Sequence, residues 1–192
     1  MKRDRIALFG GSFNPPHIGH LLVANAAARQ FQLDEIRWIP NHVSPDKKFT
    51  PPVSATHRLE MTKLLVADHP SFSVWDIEIV RGGVSYTVDT LNTARAQDPD
   101  FDWYLLLGED TYTSFDAWRE PDTIRNLAQI IVYPRNQGSQ EINSDALRLS
   151  GDFIDIASSQ IRELISRGAP LTELLPKTIE EYIRSHQLYQ ND

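Results

Sequence analysis

Residues 6–31 read as one strand, one glycine turn and one helix in immediate succession, and that unit leaves the chain very few folds. The apolar run Ile6-Ala7-Leu8-Phe9 has strand character. Gly10 and Gly11 follow it, and Leu21, Leu22, Asn25, Ala28 and Phe31 then recur with near-helical spacing. The alternation continues down the chain. Apolar runs at Ile36–Ile39, Phe72–Ile77, Trp103–Leu107, Gln129–Tyr133 and Phe153–Ile156 are expected strands. Helical stripes lie between them, one through Met61, Leu64, Leu65 and Asp68 and another through Val88, Leu91 and Arg95. Two C-terminal helices are expected, one spanning Ser159 to Arg167 and stopped by Gly168, the other starting near Pro176. Strands that alternate with helices point to an α/β protein with a doubly wound, mostly parallel sheet and C-terminal helices. Ligands of such sheets bind beyond the carboxyl ends of the strands.

Composition removes several function classes. The chain has 192 residues and no cysteine, so disulfides and Cys-ligated zinc or iron–sulfur are excluded and a reducing, cytoplasmic location is expected. Met1-Lys2-Arg3-Asp4-Arg5 is followed by only four apolar residues, too few for a signal peptide. No run approaches the ~20 apolar residues of a membrane span. A net charge of -7 argues against nucleic-acid binding, which rests on basic surface. Any anionic ligand must therefore be captured locally. The sequence leaves a homo-oligomer through a helical face open.

The segment Gly10-Gly11-Ser12-Phe13-Asn14-Pro15-Pro16-His17-Ile18-Gly19-His20 is built for such capture. Gly10 and Gly11 permit positive φ and close ligand approach. Pro15 and Pro16 stiffen the entry to the helix. The helix N-terminus offers unpaired N–H groups and the positive end of the dipole, which together bind anions. His17 and His20, three apart, share a face on a helical first turn, and Gly19 keeps that face open. Two imidazoles there can donate to phosphate oxygens and stabilise charge during phosphoryl or nucleotidyl transfer. The pair lacks a third ligand at metal-binding spacing, so no protein-held metal is expected. Neither the Gly-Lys-Ser/Thr of a P-loop nor the G-x-G-x-x-G of a dinucleotide fold is present.

Four later segments follow expected strands or open expected helices. Ser85-Tyr86-Thr87 begins a helix after Gly82-Gly83, and its amides could bind a small carboxylate. Gly108-Glu109-Asp110 follows a strand and places an acidic residue where a ribose hydroxyl could sit. Trp118 offers an indole for stacking on a flat ring, or for core packing. Ser158, Ser159 and Arg162 combine hydroxyls at a helix N-cap with a cation one turn in: a second anion site, or simply a well-capped helix. Two polar stretches, Pro40 to Pro52 with four prolines and two lysines, and Pro134 to Ser150, read as loops, either mobile lids or plain surface connections.

The glycine–histidine segment resembles the phosphate-binding motif of the H-x-G-H nucleotidyltransferases. With the later segments the chain resembles, from Ile6 to about Tyr189, the bacterial nicotinate-nucleotide adenylyltransferases. That resemblance implies a single Rossmann-like nucleotidyltransferase domain over residues 1–192, with roughly the last 35 residues forming a small helical part. It implies transfer of AMP from ATP to nicotinate mononucleotide, with Mg²⁺ accompanying the triphosphate. His17, His20, Lys47 and Arg162 are the implied catalytic residues. ATP is expected against Gly10, Gly11, Ser12, Phe13, His17, Gly19 and His20 on one side. Gly108, Asp110, Arg135, Ser158, Ser159 and Arg162 are expected on the other. Nicotinate mononucleotide is expected against Ser12, Lys47, Tyr86, Thr87 and Trp118. The family's Pro-Pro-His-Lys appears here as Ser44-Pro45-Asp46-Lys47 with Lys48 next, so either lysine could face phosphate. Arg135-Asn136-Gln137-Gly138 likewise replaces Arg-Pro-Gly. A pantetheine-phosphate adenylyltransferase and a non-catalytic nucleotide sensor are the competing readings.

Overall fold

In a computed structural model the chain is described at residues 3–45, 53–134, 145–151, 153 and 156–190. Lys47, Lys48 and Arg135 lie outside these residues. Six strands form one sheet: β1 (Arg5–Gly11), β2 (Glu35–Pro40), β3 (Phe72–Val74), β4 (Asp102–Gly108), β5 (Gln129–Tyr133) and β6 (Leu147–Arg148). Their order is β3-β2-β1-β4-β5-β6, and every pairing is parallel. This is the doubly wound arrangement, with its switch point between β1 and β4.

Period-two alternation explains why helices cover both faces. Ala7, Phe9, Tyr104, Leu106 and Ile131 face a core completed by Val23, Ala24 and Ala27 of α1 (Ile18–Gln30) and by Met61 and Leu65 of α2 (Ala55–Val66). Their neighbours Ile6, Leu8, Leu105, Leu107, Ile130 and Val132 face the opposite core. There they meet Val88, Leu91 and Ala94 on one of the helices that follow β3. Those helices are α3 (Ile77–Arg81) and α4 (Thr87–Gln97). Beyond β4 come α5 (Glu109–Tyr112), a 3₁₀ turn (Phe115–Ala117) and α6 (Pro121–Leu127). The C-terminal helices α7 (Ser158–Ser166) and α8 (Lys177–Ser185) join the first core through Ile161, Ile179 and Ile183. Each such aliphatic side chain stabilises the fold by about 1.5–3 kcal/mol when fully buried.

Two expected strands differ. The run 72–77 is a strand only to Val74, because Asp76 stands at the N-cap of α3 and Ile77 starts that helix. Aspartate suits a helix start and disfavours a strand interior. The sixth strand lies at Leu147–Arg148, inside the expected loop 134–150, whereas Phe153 and Ile156 are not in a strand. Only two residues long, β6 carries too little alternation to announce itself. Near the C-terminus Pro176 is the N-cap of α8 rather than its first residue.

Candidate functional site

Strand register creates the site. β1 pairs with β4 only from Arg5↔Asp102 to Leu8↔Leu105. Both strands run three residues further, each held by its other neighbour, as far as Gly11↔Pro40 and Gly108↔Tyr133. Phe9–Gly11 and Leu106–Gly108 therefore part from one another, and a cavity of about 490 Å³ opens between them. Gly10, Gly11, Ser12, Phe13 and His20 line one side of it, and Gly108 and Asp110 the other. Tyr86, Thr87 and Trp118 line one end, while Ser158 and Arg162 reach it from α7.

The glycines serve space, not unusual backbone angles. Neither Gly10 nor Gly11 has positive φ; the left-handed residue of the turn is Phe13, at 46°. A Cβ on Gly10 would meet no heavy atom of the described residues within 4 Å, whereas one on Gly11 would sit 3.1 Å from the Phe13 ring. Gly10 thus presents bare backbone to the cavity, and Gly11 makes room for a buried aromatic. At Gly108 a Cβ would lie 2.6 Å from Asp110 Oδ1, at the end of a flexible side chain, and 3.3 Å from the Tyr133 ring, so its glycine leaves room for both.

At the start of α1 the two histidines are not equivalent. His17 is the N-cap, 4 % exposed, and does not line the cavity; His20 does. Their rings lie 3.7 Å apart. The His17 N–H donates to His20 Nδ1 at 3.2 Å. A neutral His20 held this way carries its proton on Nε2, as a donor. The expected row of unpaired amides is smaller than the sequence suggested, because Ile18 N–H donates to Leu174 O and His20 N–H to His17 O, both at 3.0 Å. Nor does Gly19 keep a ligand face open: a Cβ there would lie 3.0 Å from the His17 ring, so Gly19 lets that ring pack.

The C-terminal segment braces the same turn. Arg162 Nη1 donates to Asn14 O at 2.9 Å, Ser158 Oγ to Pro15 O at 3.0 Å, and Tyr189 Oη to Asn14 Oδ1 at 2.6 Å. The N-cap of α7 is Ala157, so Ser158 and Ser159 occupy its first turn instead of capping it, and Ser159 does not line the cavity.

At the other end Tyr86 is the N-cap of α4 and Thr87 its first residue, so orphan amides of a helix start reach the cavity there. Trp118 is half-buried beside Phe115, and its buried Nε1 has no hydrogen-bond partner among the described residues. Arg119 lies over the Tyr86 ring, 5.0 Å from its centroid, and pairs with Asp89 at 3.3 Å.

Several contributors escape sequence reading. Arg58, fully buried on α2, donates to Ser12 O (2.7 Å), Asn41 O (2.6 Å), Asn41 Oδ1 (3.2 Å) and His42 O (3.0 Å). Asn41 Nδ2 in turn reaches Ser12 Oγ at 3.3 Å. Burial pushes the Arg58 pKa below its ordinary value, opposed by Tyr189. Glu78, 8 % exposed, lines the cavity, and burial raises its carboxyl above the usual range against the opposing pull of Thr90, Ser85 and Arg81. An Arg58 placed helically and an isolated Glu78 carry no local sequence signal. Among the described residues no cluster of three His, Cys, Asp or Glu could hold a metal ion, and no helix is long and apolar enough to cross a membrane.

Comparison with known proteins agrees with this geometry. A family model described as Cytidylyltransferase-like matches residues 8–166. The chain is 38% identical over 190 residues to a probable nicotinate-nucleotide adenylyltransferase of Salinibacter ruber, covering 96% of this chain and 97% of the relative. It is 36% identical to one of a Synechococcus species, covering 98% of each. Among solved structures, Plasmodium falciparum nicotinic acid mononucleotide adenylyltransferase complexed with NaAD superposes with a TM-score of 0.81 at 20% identity, over 99% of both chains. The same enzyme complexed with APC gives 0.77 at 18% identity, again over 99% of both chains.

Proposed function

The chain belongs to the nicotinate-nucleotide adenylyltransferases, within the cytidylyltransferase-like family, and from that premise we infer that ATP and nicotinate mononucleotide meet in the crevice between β1 and β4. The enzyme transfers AMP from ATP to nicotinate mononucleotide and releases pyrophosphate. One observation carries the placement: a single cavity joins the Gly10–His20 end to the Tyr86–Trp118 end, so two nucleotides can lie head to head.

The attacking phosphate is already ionised at neutral pH, so the reaction needs positioning and charge stabilisation, not a general base. The bare backbone of Gly10 admits the triphosphate. His20 offers its Nε2 proton to phosphate oxygens that gain charge in the transition state. His17 fixes that proton's position by occupying Nδ1 with its own backbone N–H. Arg162 adds positive charge from α7, and Lys47 is proposed to do so from the loop after β2. Asp110 is placed to accept from a ribose hydroxyl. At the far end the indole of Trp118 supports a flat pyridine ring, and the first amides of α4 receive its carboxylate. An amide-bearing ring would set its NH₂ against those donors, which favours the acid. Mg²⁺ would arrive on the triphosphate and screen its charge; the described residues offer it no protein cage, as is common for Mg²⁺ with nucleotides. A cytoplasmic location suits a chain without cysteine.

The test supplies ATP and Mg²⁺ with nicotinate mononucleotide, nicotinamide mononucleotide or pantetheine phosphate and measures pyrophosphate. Fastest release with nicotinate mononucleotide is expected. Faster turnover of the amide would refute the carboxylate cradle, and release with pantetheine phosphate alone would refute the assignment of acceptor.

A further inference from the structure

Glu78 is a nearly buried carboxylate in the cavity wall for which the reaction has no use as acid or base. One hydrogen-bond relay ends on it, and a second hydroxyl stands beside it. Arg81 Nη1 donates to Thr90 Oγ1 at 3.2 Å, and the Thr90 hydroxyl donates to Glu78 Oε1 at 2.7 Å. His42 N–H donates to Ser85 Oγ at 3.0 Å, and the Ser85 hydroxyl stands close enough to Glu78 to pull its carboxyl pKa down against burial. Each hydroxyl accepts an N–H, which leaves its own proton to donate, and that of Thr90 goes to Glu78. Ser85 and Thr90 are both buried and bracket the start of α4, one just before the N-cap Tyr86 and the other one turn beyond it. The turn before them uses Gly82 and Gly83, both at positive φ. It is tied to the loop after β2 by Ser85 N–H to Val43 O at 2.8 Å and by His42 Nδ1 with Gly83 O at 2.9 Å.

We propose that Glu78 is a positioning residue for the acceptor nucleotide: it clamps Ser85 and Thr90 so that the amides of Tyr86 and Thr87 between them face the ring carboxylate. The clamp acts through the helix start and touches neither ATP nor the reacting phosphates. It rests on the reading of the cavity as the meeting place of ATP and nicotinate mononucleotide. Loss of the clamp weakens ground-state and transition-state binding of the acceptor alike, which raises its KM and spares kcat.

Steady-state kinetics on the full chain test this with Glu78→Gln, Thr90→Val and Ser85→Ala. Gln replaces one acceptor oxygen by a donor NH₂ and removes the charge, and Thr90→Val deletes the Thr90 relay at nearly constant shape. The KM for nicotinate mononucleotide should rise about tenfold in Glu78→Gln and by a smaller factor in the other two, with the KM for ATP changing less than about twofold. Thr90→Val and Ser85→Ala carry the test if Glu78→Gln does not fold. An equal rise in both KM values, unchanged KM values, or a fall in kcat alone overturns the clamp. A wild-type enzyme that does not turn over nicotinate mononucleotide overturns the functional reading instead.

Discussion

Gly10→Ala and Gly11→Ala differ by one position and should behave in opposite ways. Gly10 lies in β1 without positive φ, and a Cβ there has no heavy atom within 4 Å among the described residues. The added methyl therefore costs the fold nothing and narrows the unfolded ensemble, which stabilises by about 0.4–1 kcal/mol. In a chain of this size that raises Tm by roughly 1–4 °C. The same methyl stands in the cavity wall, where the proposed triphosphate site uses the bare backbone, so ATP binding should weaken by about an order of magnitude. At Gly11 the methyl would press on three atoms of the Phe13 ring at 3.1–3.3 Å, and that ring is 2 % exposed among Phe9, His20 and Trp38. Overpacking of this kind costs about 1–3 kcal/mol. Thermal melts and ATP titrations of both variants are the assay. A Gly10→Ala protein that melts lower than wild type, or binds ATP normally, refutes the assignment of its open face to the ligand.

Other expectations follow from the same geometry. His20→Ala should lower kcat on the order of 10²–10³-fold with Tm nearly unchanged, and near-normal kcat would remove His20 from the reaction. Arg58→Met leaves the part-buried carbonyls of Ser12, Asn41 and His42 without this donor; at up to about 1–3 kcal/mol per stranded group, urea unfolding should show a loss of about 1 kcal/mol or more. A loss within about 0.5 kcal/mol would contradict the tie. Trp118→Phe should retain much of the acceptor affinity and Trp118→Ala should not, as judged by KM for nicotinate mononucleotide. The raised carboxyl of Glu78 contributes stability that is full below its unfolded value, ordinarily 4.5, and is lost as pH rises through the higher folded value. The stability of Glu78→Gln relative to wild type should therefore improve from acid to neutral pH in urea melts, and a difference that moves the other way refutes the direction of the shift.

The parts legible in the sequence are those whose partners are close along the chain. The run before Gly10 and the spacing of His17 and His20 are readable because strand alternation, turn chemistry and helical period are short-range. The same holds for the helix start at Ser85–Thr87 and for the C-terminal helices. The parts that misled are those where a neighbour in space changes a local role. Gly19 reads as an opening for ligand but is the seat of the His17 ring, and Ser158 reads as a cap but donates to Pro15 O. Ile18's amide reads as free for an anion but is taken by Leu174, some 156 positions further along. β6 was invisible because two residues have no period.

By itself the sequence determined a parallel α/β sheet, a glycine turn leading into a helix that carries His20 on its first turn, and a second helix start at Tyr86–Thr87. Only the tertiary structure decided that the two sites share one cavity, because that depends on where the β1–β4 ladder stops. It also decided that His20, rather than His17, lines the cavity, and that Arg58 and the C-terminal Tyr189 tie down the loops around it. Each of these meets its partners only after strands far apart in the chain are laid side by side. A buried ion or hydroxyl acquires its meaning from the acceptors the fold brings to it.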